Sequence, residues 1–449
     1  MRIRWFSNAC VLISSNSGGS ILCDPWVNPG ANLGSWFHWP PVPTDYEDIL
    51  FGLELDGIFI SHLHSDHYDP KFISKFTRLR PDVPILFPEF AHPWLRNSLS
   101  RVVYEKTKLI EIPTLEEIEI GDGLTIKSFA ADTCNPQVCN INVPCQSNQK
   151  LRGIDGIGVF RADNLLAVNA NDAMGINLVP KVAANIGKAD ILMGHYGAAS
   201  PFPQSFPKIN DKKAAIEKVV SQALKSLTLA AEALDARYIF PFAGQYLLGG
   251  RLHELNDFLA ILPLDTTVEE LRKMSNKTIL SVEPFGTINL DDITAHKHYT
   301  EPESEIRQKY IQEIARVKFP YERTFSTSWE DSEHDLIRAA RKVLNLSKSA
   351  LLSFDNSFVI GDGTHCVTIN LYKKGKQSTI SLGEFPTCPT VTRIKMPENL
   401  LRMLCNRRNE FIGFTPLHWN QADGGSHFTW EREGLFDLNA HLLLNFFGT

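Results

Sequence analysis

The chain has 449 residues, of which 43% are hydrophobic and 21% are charged. This composition is typical of a globular protein, and the length suffices for a large buried core and for two or three domains. The formal net charge is −6 and no run is rich in lysine or arginine, which argues against a nucleic-acid partner. No apolar run reaches the length of a membrane span. We therefore expect a cytoplasmic protein, without a membrane partner, whose eight cysteines are mostly reduced.

The N-terminal residues predict a hairpin followed by an aromatic loop. In residues 4–27, two apolar runs flank a Ser-Asn-Ser-Gly-Gly turn. Residues 28–45 are rich in proline and glycine and carry Trp36, His38 and Trp39. Aromatic rings are costly to leave in water. The loop is therefore either a lid that forms a substrate pocket with these three side chains, or a cover over a hydrophobic edge of the core.

The stretch ISHLHSDHYD, residues 60–69, concentrates metal-binding side chains after a short apolar run. The run GIFI, residues 57–60, predicts a buried strand because it is β-branched and aromatic. Imidazole and carboxylate ligands together suit Zn²⁺, Mn²⁺ or Fe better than Mg²⁺ or Ca²⁺. The pattern therefore predicts a site for one or two metal ions, with ligands from His62, His64, Asp66 and His67.

The following segments alternate between strand hairpins and helices, which suits an α/β sandwich with sites at an edge where strands end. The last predicted strand of this series ends at Asp172, and a further apolar run ends at His195. The predicted elements are a helix over 71–80, a hairpin of 109–120 with 123–131, a Cys-rich loop over 132–152, a hairpin of 156–161 with 164–170, and a helix over about 210–235.

The pattern changes near residue 300, so we predict a catalytic domain over 1–300 and a smaller α+β domain over 301–449. The second domain is expected to contain a helix over 333–347 and a hairpin over 365–383. The segment HWNQADGGSHF, residues 418–428, is polar and contains glycine. It is either a hydrogen-bonded turn between aromatic strands, which we favour, or a segment that reaches back to the metal site.

The motif SHLHSDH resembles the HxHxDH signature of the metallo-β-lactamase-fold superfamily, which implies an αββα sandwich. Other segments resemble more closely the part of the CMP-N-acetylneuraminate hydroxylases that follows their Rieske domain. These segments are ILCDPWV (21–27), SWFHWPP (35–41), FISHLHSDH (59–67), ASPFPQSF (199–206), YIFPFAGQY (238–246) and, more weakly, PLHWNQADGGSHF (416–428).

The superfamily resemblance implies a role for each residue of the motif. His62 and His64 would bind a first metal, and Asp66 and His67 a second. The resemblance also implies a bridging aspartate, for which Asp172 has the expected position at a strand end. A strand-terminal aspartate that only forms a turn is the alternative.

Two other positions depart from the family pattern. Where a third histidine is expected, the chain has Cys134 or Asp132, and Cys134 is either a thiolate ligand or an ordinary buried thiol. Where a final histidine is expected, the chain has Ala243 and Gly244 within PFAGQY, and His195 is the best substitute by position. The resemblance also implies that Asp24 orients a ligand, unless it is only a turn residue before proline.

These residues favour a metal-dependent hydrolase that binds one or two zinc ions and attacks a phosphoester, amide or ester of a small, anionic or nucleotide-linked metabolite. Asp66 or Asp172 would accept a proton from water, and His195 would stabilise the developing oxyanion. The alternative is an oxygenase that uses iron or manganese. Because the chain contains no Rieske pattern, that oxygenase would need a separate electron-transfer partner. A scaffold that kept the fold without catalysis is the third hypothesis.

Overall fold

The computed structural model describes residues 1–90, 93–131, 154–174, 178–293, 297–324, 332–348, 350, 352–373, 376–405 and 418–448. The strands are β1 (Arg2–Ser7), β2 (Cys10–Ser14), β3 (Ser20–Cys23), β4 (Trp36–His38), β5 (Gly57–Phe59), β6 (Ile85–Pro88), β7 (Leu109–Ile112), β8 (Glu117–Gly121), β9 (Leu124–Ala130), β10 (Gly156–Ala162), β11 (Leu165–Asn171), β12 (Ile191–Gly194), β13 (Tyr238–Pro241), β14 (Tyr246–Leu248), β15 (Thr278–Ile279), β16 (Thr287–Asn289), β17 (Asn356–Gly361), β18 (Cys366–Leu371), β19 (Thr379–Leu382), β20 (Thr390–Lys395) and β21 (Thr429–Glu433).

The helices lie between these strands in chain order. They are α1 (Ala31–Gly34), α2 (Tyr46–Phe51), α3 (Pro70–Leu79), α4 (Trp94–Val102), α5 (Leu178–Ile186), α6 (Lys212–Ala233), α7 (Leu264–Met274), α8 (Ser304–Ile314), α9 (Pro320–Thr324), α10 (Ser332–Ser347), α11 (Glu398–Cys405), α12 (His418–Gly424) and α13 (Leu438–Leu443). Within the described ranges, no helix combines the length and the apolar character needed to cross a bilayer.

Two mixed seven-stranded sheets form the larger part of the molecule. Their strand orders are β16-β1-β2-β3-β5-β6-β7 and β15-β13-β12-β11-β10-β9-β8. Strands β3, β5, β6 and β7 run parallel in the first sheet, and β11, β12, β13 and β15 run parallel in the second. Residues that follow parallel strands gather at one edge of a sheet, where α/β proteins place their sites. The predicted αββα sandwich is confirmed.

The core between the two sheets consists of large apolar side chains from both inner faces. Phe59 of β5 meets Phe160 of β10 edge to face, with ring centroids 5.8 Å apart and planes at 87°. Both rings are fully buried. Gly158 leaves room for this pair, because a Cβ there would lie 2.9 Å from Phe59 Cε1 and 2.8 Å from Phe160 Cε2. Packing between the two sheets therefore fixes the strand that precedes the metal motif.

The helix that follows the motif begins where the sequence predicts it. The Asp69 side chain accepts hydrogen bonds from the backbone N–H groups of Lys71 and Phe72, and Pro70 occupies the first turn. Phe72 and Phe76 are fully buried on the outer face of the first sheet. The cap and this apolar face hold the end of the motif in place.

The predicted hairpin over 109–120 and 123–131 is correct only in its second half. Residues of β8 and β9 pair antiparallel across the turn at Gly121–Gly123, as expected. Strand β7, however, pairs parallel with β6 in the first sheet. Apolar periodicity identifies a strand but does not reveal which sheet receives it, and the Pro113 turn carries the chain from one sheet to the other.

The C-terminal part contains a five-stranded sheet, in the order β19-β18-β17-β20-β21. The predicted helix over 333–347 corresponds to α10, and β18 pairs antiparallel with β19 as the predicted hairpin requires. Its core extends to Trp26, Trp36 and Tyr246 of the larger part. The domain boundary at residue 300 stays a prediction.

The favoured interpretation of the segment HWNQADGGSHF as a turn is wrong. Its first seven residues form α12, which is followed by Gly425 and then by β21. A Cβ at Gly425 would lie 2.6 Å from the backbone oxygen of Asn32, so glycine permits close packing against α1. The helix lies against the larger part of the chain, and this contact brings the segment back to the metal motif.

His427 connects the C-terminal part to α1. Its Nε2–H donates to the backbone oxygen of Asn32 at 2.9 Å, and its Nδ1 accepts from the Tyr321 hydroxyl at 2.8 Å. Burial lowers the pKa of His427 to about 3, an effect that the nearby Arg251 charge reinforces and the bond to Asn32 opposes. The imidazole is therefore neutral in the folded protein near neutral pH.

We expect His427 to make the protein less stable in acid. Between pH 6.5 and about 3 the unfolded chain binds a proton that the folded chain excludes, so the free energy of unfolding falls as the pH decreases. At pH 5 the loss is about 2 kcal/mol. Denaturant titrations of the wild type and His427→Gln measure it: the variant should lose less stability between pH 8 and pH 5. The difference in the free energy of unfolding between the two proteins at pH 8 serves as the reference. If this difference were the same at pH 5, the prediction would be contradicted.

Candidate metal centre

The candidate site lies at the ends of parallel strands from both sheets. Asp24 follows β3, and the motif begins after β5 in the same sheet. Asp172 follows β11, and His195 follows β12 in the other sheet. These strand ends face the same edge of the sandwich, and this topology brings residues distant in sequence to one place.

Asp24 orients two of the motif residues. Its carboxylate accepts hydrogen bonds from the Ser61 backbone N–H and hydroxyl, both at 2.7 Å, and from His67 Nδ1 at 3.1 Å. Ser61 Oγ in turn lies 2.9 Å from His62 Nδ1. With the hydroxyl donating to Asp24, His62 Nδ1 donates to Ser61, and the Nε2 atoms of His62 and His67 keep their lone pairs for a metal.

The first group of converging ligand atoms consists of His62, His64 and Asp155. His62 Nε2 lies 2.8 Å from His64 Nδ1 and 3.9 Å from Asp155 Oδ1. The opposite nitrogen of His64, Nε2, donates to Asn420 Oδ1 at 2.8 Å. This bond leaves Nδ1 of His64 as the nitrogen that can bind a metal.

The second group consists of His62, His67 and Asp172. Asp172 Oδ2 lies 3.8 Å from His62 Nε2 and 3.6 Å from His67 Nε2. Asp66 Oδ2 lies 3.5 Å from His67 Nε2. Asp172 therefore belongs to the second group, and His62 is the residue that both groups share. The bridging role that the resemblance implies for Asp172 stays a prediction.

The charges of this cluster are strongly interdependent. Burial lowers the pKa of His62 well below its ordinary value, and the neighbouring His67 and His64 add to the effect. Burial also raises the pKa values of Asp66 and Asp155. For Asp172, burial is outweighed by His67 and other histidines, which lower its pKa. Three carboxylates in so small a buried volume require positive charge nearby.

The residues present fit a divalent transition metal. Asp155 Oδ1 is buried and has no hydrogen-bond partner among the described residues. The donors are imidazole nitrogens and carboxylate oxygens, a set that suits Zn²⁺, Fe or Mn²⁺. In each of the two groups the ligand atoms all lie within 4.8 Å of one another. The site is thus a His/Asp metal-binding cluster whose geometry leaves the identity of the metal open.

His195 lies beside this cluster. Its Nδ1 donates to the backbone oxygen of Asn171 at 2.8 Å and lies 3.8 Å from Asp172 Oδ1. The structure brings it next to Asp172. Cys134, the other substitute ligand predicted from the sequence, lies outside the described residues, as does Asp132.

The aromatic residues of the predicted pocket have different surroundings. Trp36 lines the cavity over the site and stacks on Tyr246, with ring centroids 3.6 Å apart and planes at 9°. His38 is buried against Ser7, whose hydroxyl lies 3.0 Å from its Nδ1. Trp39 is also buried and donates from Nε1 to Glu301 at 2.7 Å. Neither His38 nor Trp39 lines the cavity. Both side chains are buried, as expected for a loop that covers the core.

The cavity at the site has a volume of about 840 Å³, within the range of about 300–1,000 Å³ that small-molecule sites occupy. It lies between the larger part of the chain and the C-terminal part. Its walls include His64, Asp66, Asp155, Asp172 and His195 of the cluster, and also Phe206, Lys218, Trp430, Arg432, Phe436 and His441.

Sequence reasoning missed Asp155. It immediately precedes β10, and a carboxylate directly before a buried strand in IDGIGVF is the signal that could have drawn attention to it. Asn420 lies in the segment for which a return to the metal site was the less favoured of two interpretations, and its contact with His64 bears that interpretation out. The C-terminal part therefore contributes directly to the metal centre.

We predict that Asn420→Ala weakens metal binding about 10- to 100-fold, because His64 loses the acceptor that fixes its ring. Competition of the protein with a chromophoric chelator measures this affinity. Asn185→Ala is the control, since Asn185 is exposed on α5 and its side-chain amide donates to the Lys181 backbone oxygen in the same helix. Equal metal affinity in Asn420→Ala and the wild type would show that the bond does not position His64.

Comparison with known families identifies the N-terminal part. The model of the β-lactamase superfamily domain matches residues 2–148. A Mycolicibacterium smegmatis protein named for a Rieske 2Fe-2S iron–sulfur centre is 28% identical over 263 residues, covering 57% of this chain and 46% of the relative. The cytidine monophosphate-N-acetylneuraminic acid hydroxylase of Macaca mulatta is 34% identical over 254 residues, covering 55% of this chain and 38% of the relative. The chain thus spans less than half the length of these curated relatives.

Among solved structures, Igni18, a metallo hydrolase from Ignicoccus hospitalis, aligns with a TM-score of 0.40 and 14% identity. The alignment covers 64% of this chain and 97% of that protein.

Proposed function

The chain carries a metallo-β-lactamase superfamily domain with a His/Asp metal-binding cluster, and from this premise we propose that it is a metal-dependent hydrolase of a small metabolite. The observation that carries the proposal is the position of Asp172. Its carboxylate lies within 3.8 Å of ring nitrogens of His62, His67 and His195, and His62 belongs to both groups of ligand atoms. A carboxylate among clustered histidines is typical of sites that hydrolyse with paired metal ions.

The metal ions would supply Lewis acidity and a water of lowered pKa for attack on a phosphoester, amide or ester. The residues of the chain have separate tasks. Asp66, buried beside His67, orients the attacking water and accepts its proton. His195, which stands next to Asp172 and lines the cavity, donates from Nε2 in its imidazolium form to the oxygen that becomes negative. The stacked rings of Trp36 and Tyr246 keep bulk solvent from that side of the cavity.

One observation favours a second candidate function, an oxygenase. The group of His62, His64 and Asp155 combines two histidines with one carboxylate, a ligand set that non-haem iron oxygenases use. A curated relative at 34% identity is named a hydroxylase. In this alternative, iron would supply the oxygen chemistry and a separate protein would supply electrons, while the same cavity would hold the substrate.

Elemental analysis of protein purified without added metal, combined with activity assays, tests the proposal. About two equivalents of zinc with hydrolysis of phosphodiester, amide or ester substrates would support the hydrolase. Iron with oxygen consumption in the presence of an electron donor would support the oxygenase instead. His64→Ala should lose most of the metal and the activity in either case, and protein without tightly held metal would contradict both functions.

A further inference from the structure

Strand β21 separates its charged residues onto two faces. Glu431 contacts Lys208 at 2.9 Å, and Glu433 contacts Arg393 at 2.6 Å, so both acids are neutralised by surface cations. Trp430 and Arg432 alternate with them along the strand and line the cavity. The strand therefore presents a guanidinium toward the cavity and keeps its own carboxylates on the opposite face.

The Arg432 side chain lies between two aromatic rings. Its Cζ is 5.5 Å from the Phe206 ring centroid and 4.5 Å from that of Phe436. Contacts of this kind hold the plane of a guanidinium and shield its stem from water. Phe436 is itself 50% exposed, so the rings form an apolar margin around the charge.

No carboxylate lies within 4.0 Å of Arg432 in the part of the chain that the structure describes. Burial lowers its pKa, which the more distant Asp423 opposes, but a guanidinium is basic enough to keep its charge near neutrality. Asp423 is instead 3.3 Å from His441. The charge of Arg432 is thus half-buried, held in place by rings and not neutralised by a partner.

Arg432 and the metal cluster line one continuous cavity. The proposed reaction takes place at the cluster, whereas Arg432 belongs to β21 in the C-terminal part of the chain. Lys218, an exposed residue of α6, adds a second positive group to the cavity wall. A ligand that fills the cavity therefore meets a cationic, aromatic surface besides the metal cluster.

We propose that Arg432, between Phe206 and Phe436, binds an anionic group of the substrate, a carboxylate or a phosphate carried on an apolar or aromatic portion. The planar guanidinium presents paired N–H donors that match the two oxygens of such a group. This inference rests on the proposed function in one respect, that the cavity receives the substrate. It adds a specificity-determining residue that is not one of the metal ligands.

Binding of small aromatic probes tests the anion site without any need for turnover. Benzoate and phenylphosphonate supply the two anions, and benzamide is the neutral probe of similar shape. Calorimetric titration compares the wild type with Arg432→Gln and Arg432→Lys. Arg393→Gln is the matched control, because Arg393 lies on the same sheet, loses the same charge and pairs with Glu384 and Glu433 on the outer surface.

We expect Arg432→Gln to weaken binding of the preferred anion at least tenfold and to leave benzamide unchanged. Arg432→Lys should recover part of the affinity, since it restores the charge but not the fork of donors. Tighter binding of phenylphosphonate indicates a phosphate-bearing substrate, and tighter binding of benzoate indicates a carboxylate. Equal anion affinity in Arg432→Gln and the wild type, or an equal loss in Arg393→Gln, overturns the inference.

The same titrations in an Asp172→Asn background separate this inference from the proposed function. If Arg432 holds the anion, Arg432→Gln lowers the binding affinity by the same factor whether or not Asp172 is replaced, because independent sites contribute additively to the binding free energy. A protein that hydrolyses nothing could still show this loss, and an active hydrolase could lack it. A loss that disappears when Asp172 is replaced means that the probe binds at the metals, and the Arg432 assignment fails.

Discussion

Asp172→Asn is expected to remove most of the bound metal and to lower the catalytic rate about 10²- to 10⁴-fold. Asparagine keeps the size of the side chain and removes the charge that stands between His62 and His67. Without that charge the second group of ligand atoms loses its only carboxylate, and His195 loses its neighbour. Elemental analysis and a steady-state assay on the same preparation give both quantities.

The control for this variant is Asp235→Asn. Asp235 is an exposed carboxylate, contacted by Lys188 and Lys277 at 3.0 Å each. The replacement makes the same chemical change far from the cluster and should leave metal content and rate unchanged. If Asp172→Asn kept both metals and full activity, the bridging role and the hydrolase built on it would be refuted.

Phe59→Ala is expected to lower the free energy of unfolding by about 3–5 kcal/mol. The ring is fully buried, and it packs edge-on against Phe160 of the opposite sheet, where Gly158 leaves no side chain to collapse into the space. The cavity left by alanine would open directly beneath the strand that leads into the metal motif. Denaturant titration of the metal-free protein isolates the packing effect from metal binding.

Leu79→Ala provides the comparison for this loss. Leu79 ends α3 and is 62% exposed, so its truncation should change stability by no more than about 0.5 kcal/mol. Similar changes in the two variants would mean that the pair of Phe59 and Phe160 does not hold the sheets together.

The metal motif was predictable because its ligands are local. Four potential ligands follow one short strand, and a strand end holds neighbouring residues in a limited set of directions whatever the rest of the fold does. The start of α3 was predictable for the same reason, because Asp69 and Pro70 lie next to each other at its N-terminus. Resemblance then supplied the sandwich and the position of Asp172, which periodicity alone would have left as a turn residue.

Other features depended on contacts between distant segments. Asp155 reaches His62 only because β10 lies in the sheet that faces β5, and Asn420 reaches His64 across 356 residues of chain. Trp39 donates a hydrogen bond to Glu301, which lies 262 residues away in the chain and cannot be predicted as its partner from a local pattern. The turn predicted around residue 420 became a helix because packing against α1 outweighed the turn preference of its glycines.

The amino-acid sequence by itself determined where a metal could bind and which strands lead to it, since side-chain chemistry and short-range backbone geometry are encoded residue by residue. Only the tertiary structure decided which carboxylate completes the first group of ligands, which rings line the cavity and where Arg432 presents its charge. Those outcomes depend on how the sheets and the C-terminal part pack, and packing energy is shared among residues too far apart in the chain for any local pattern to express.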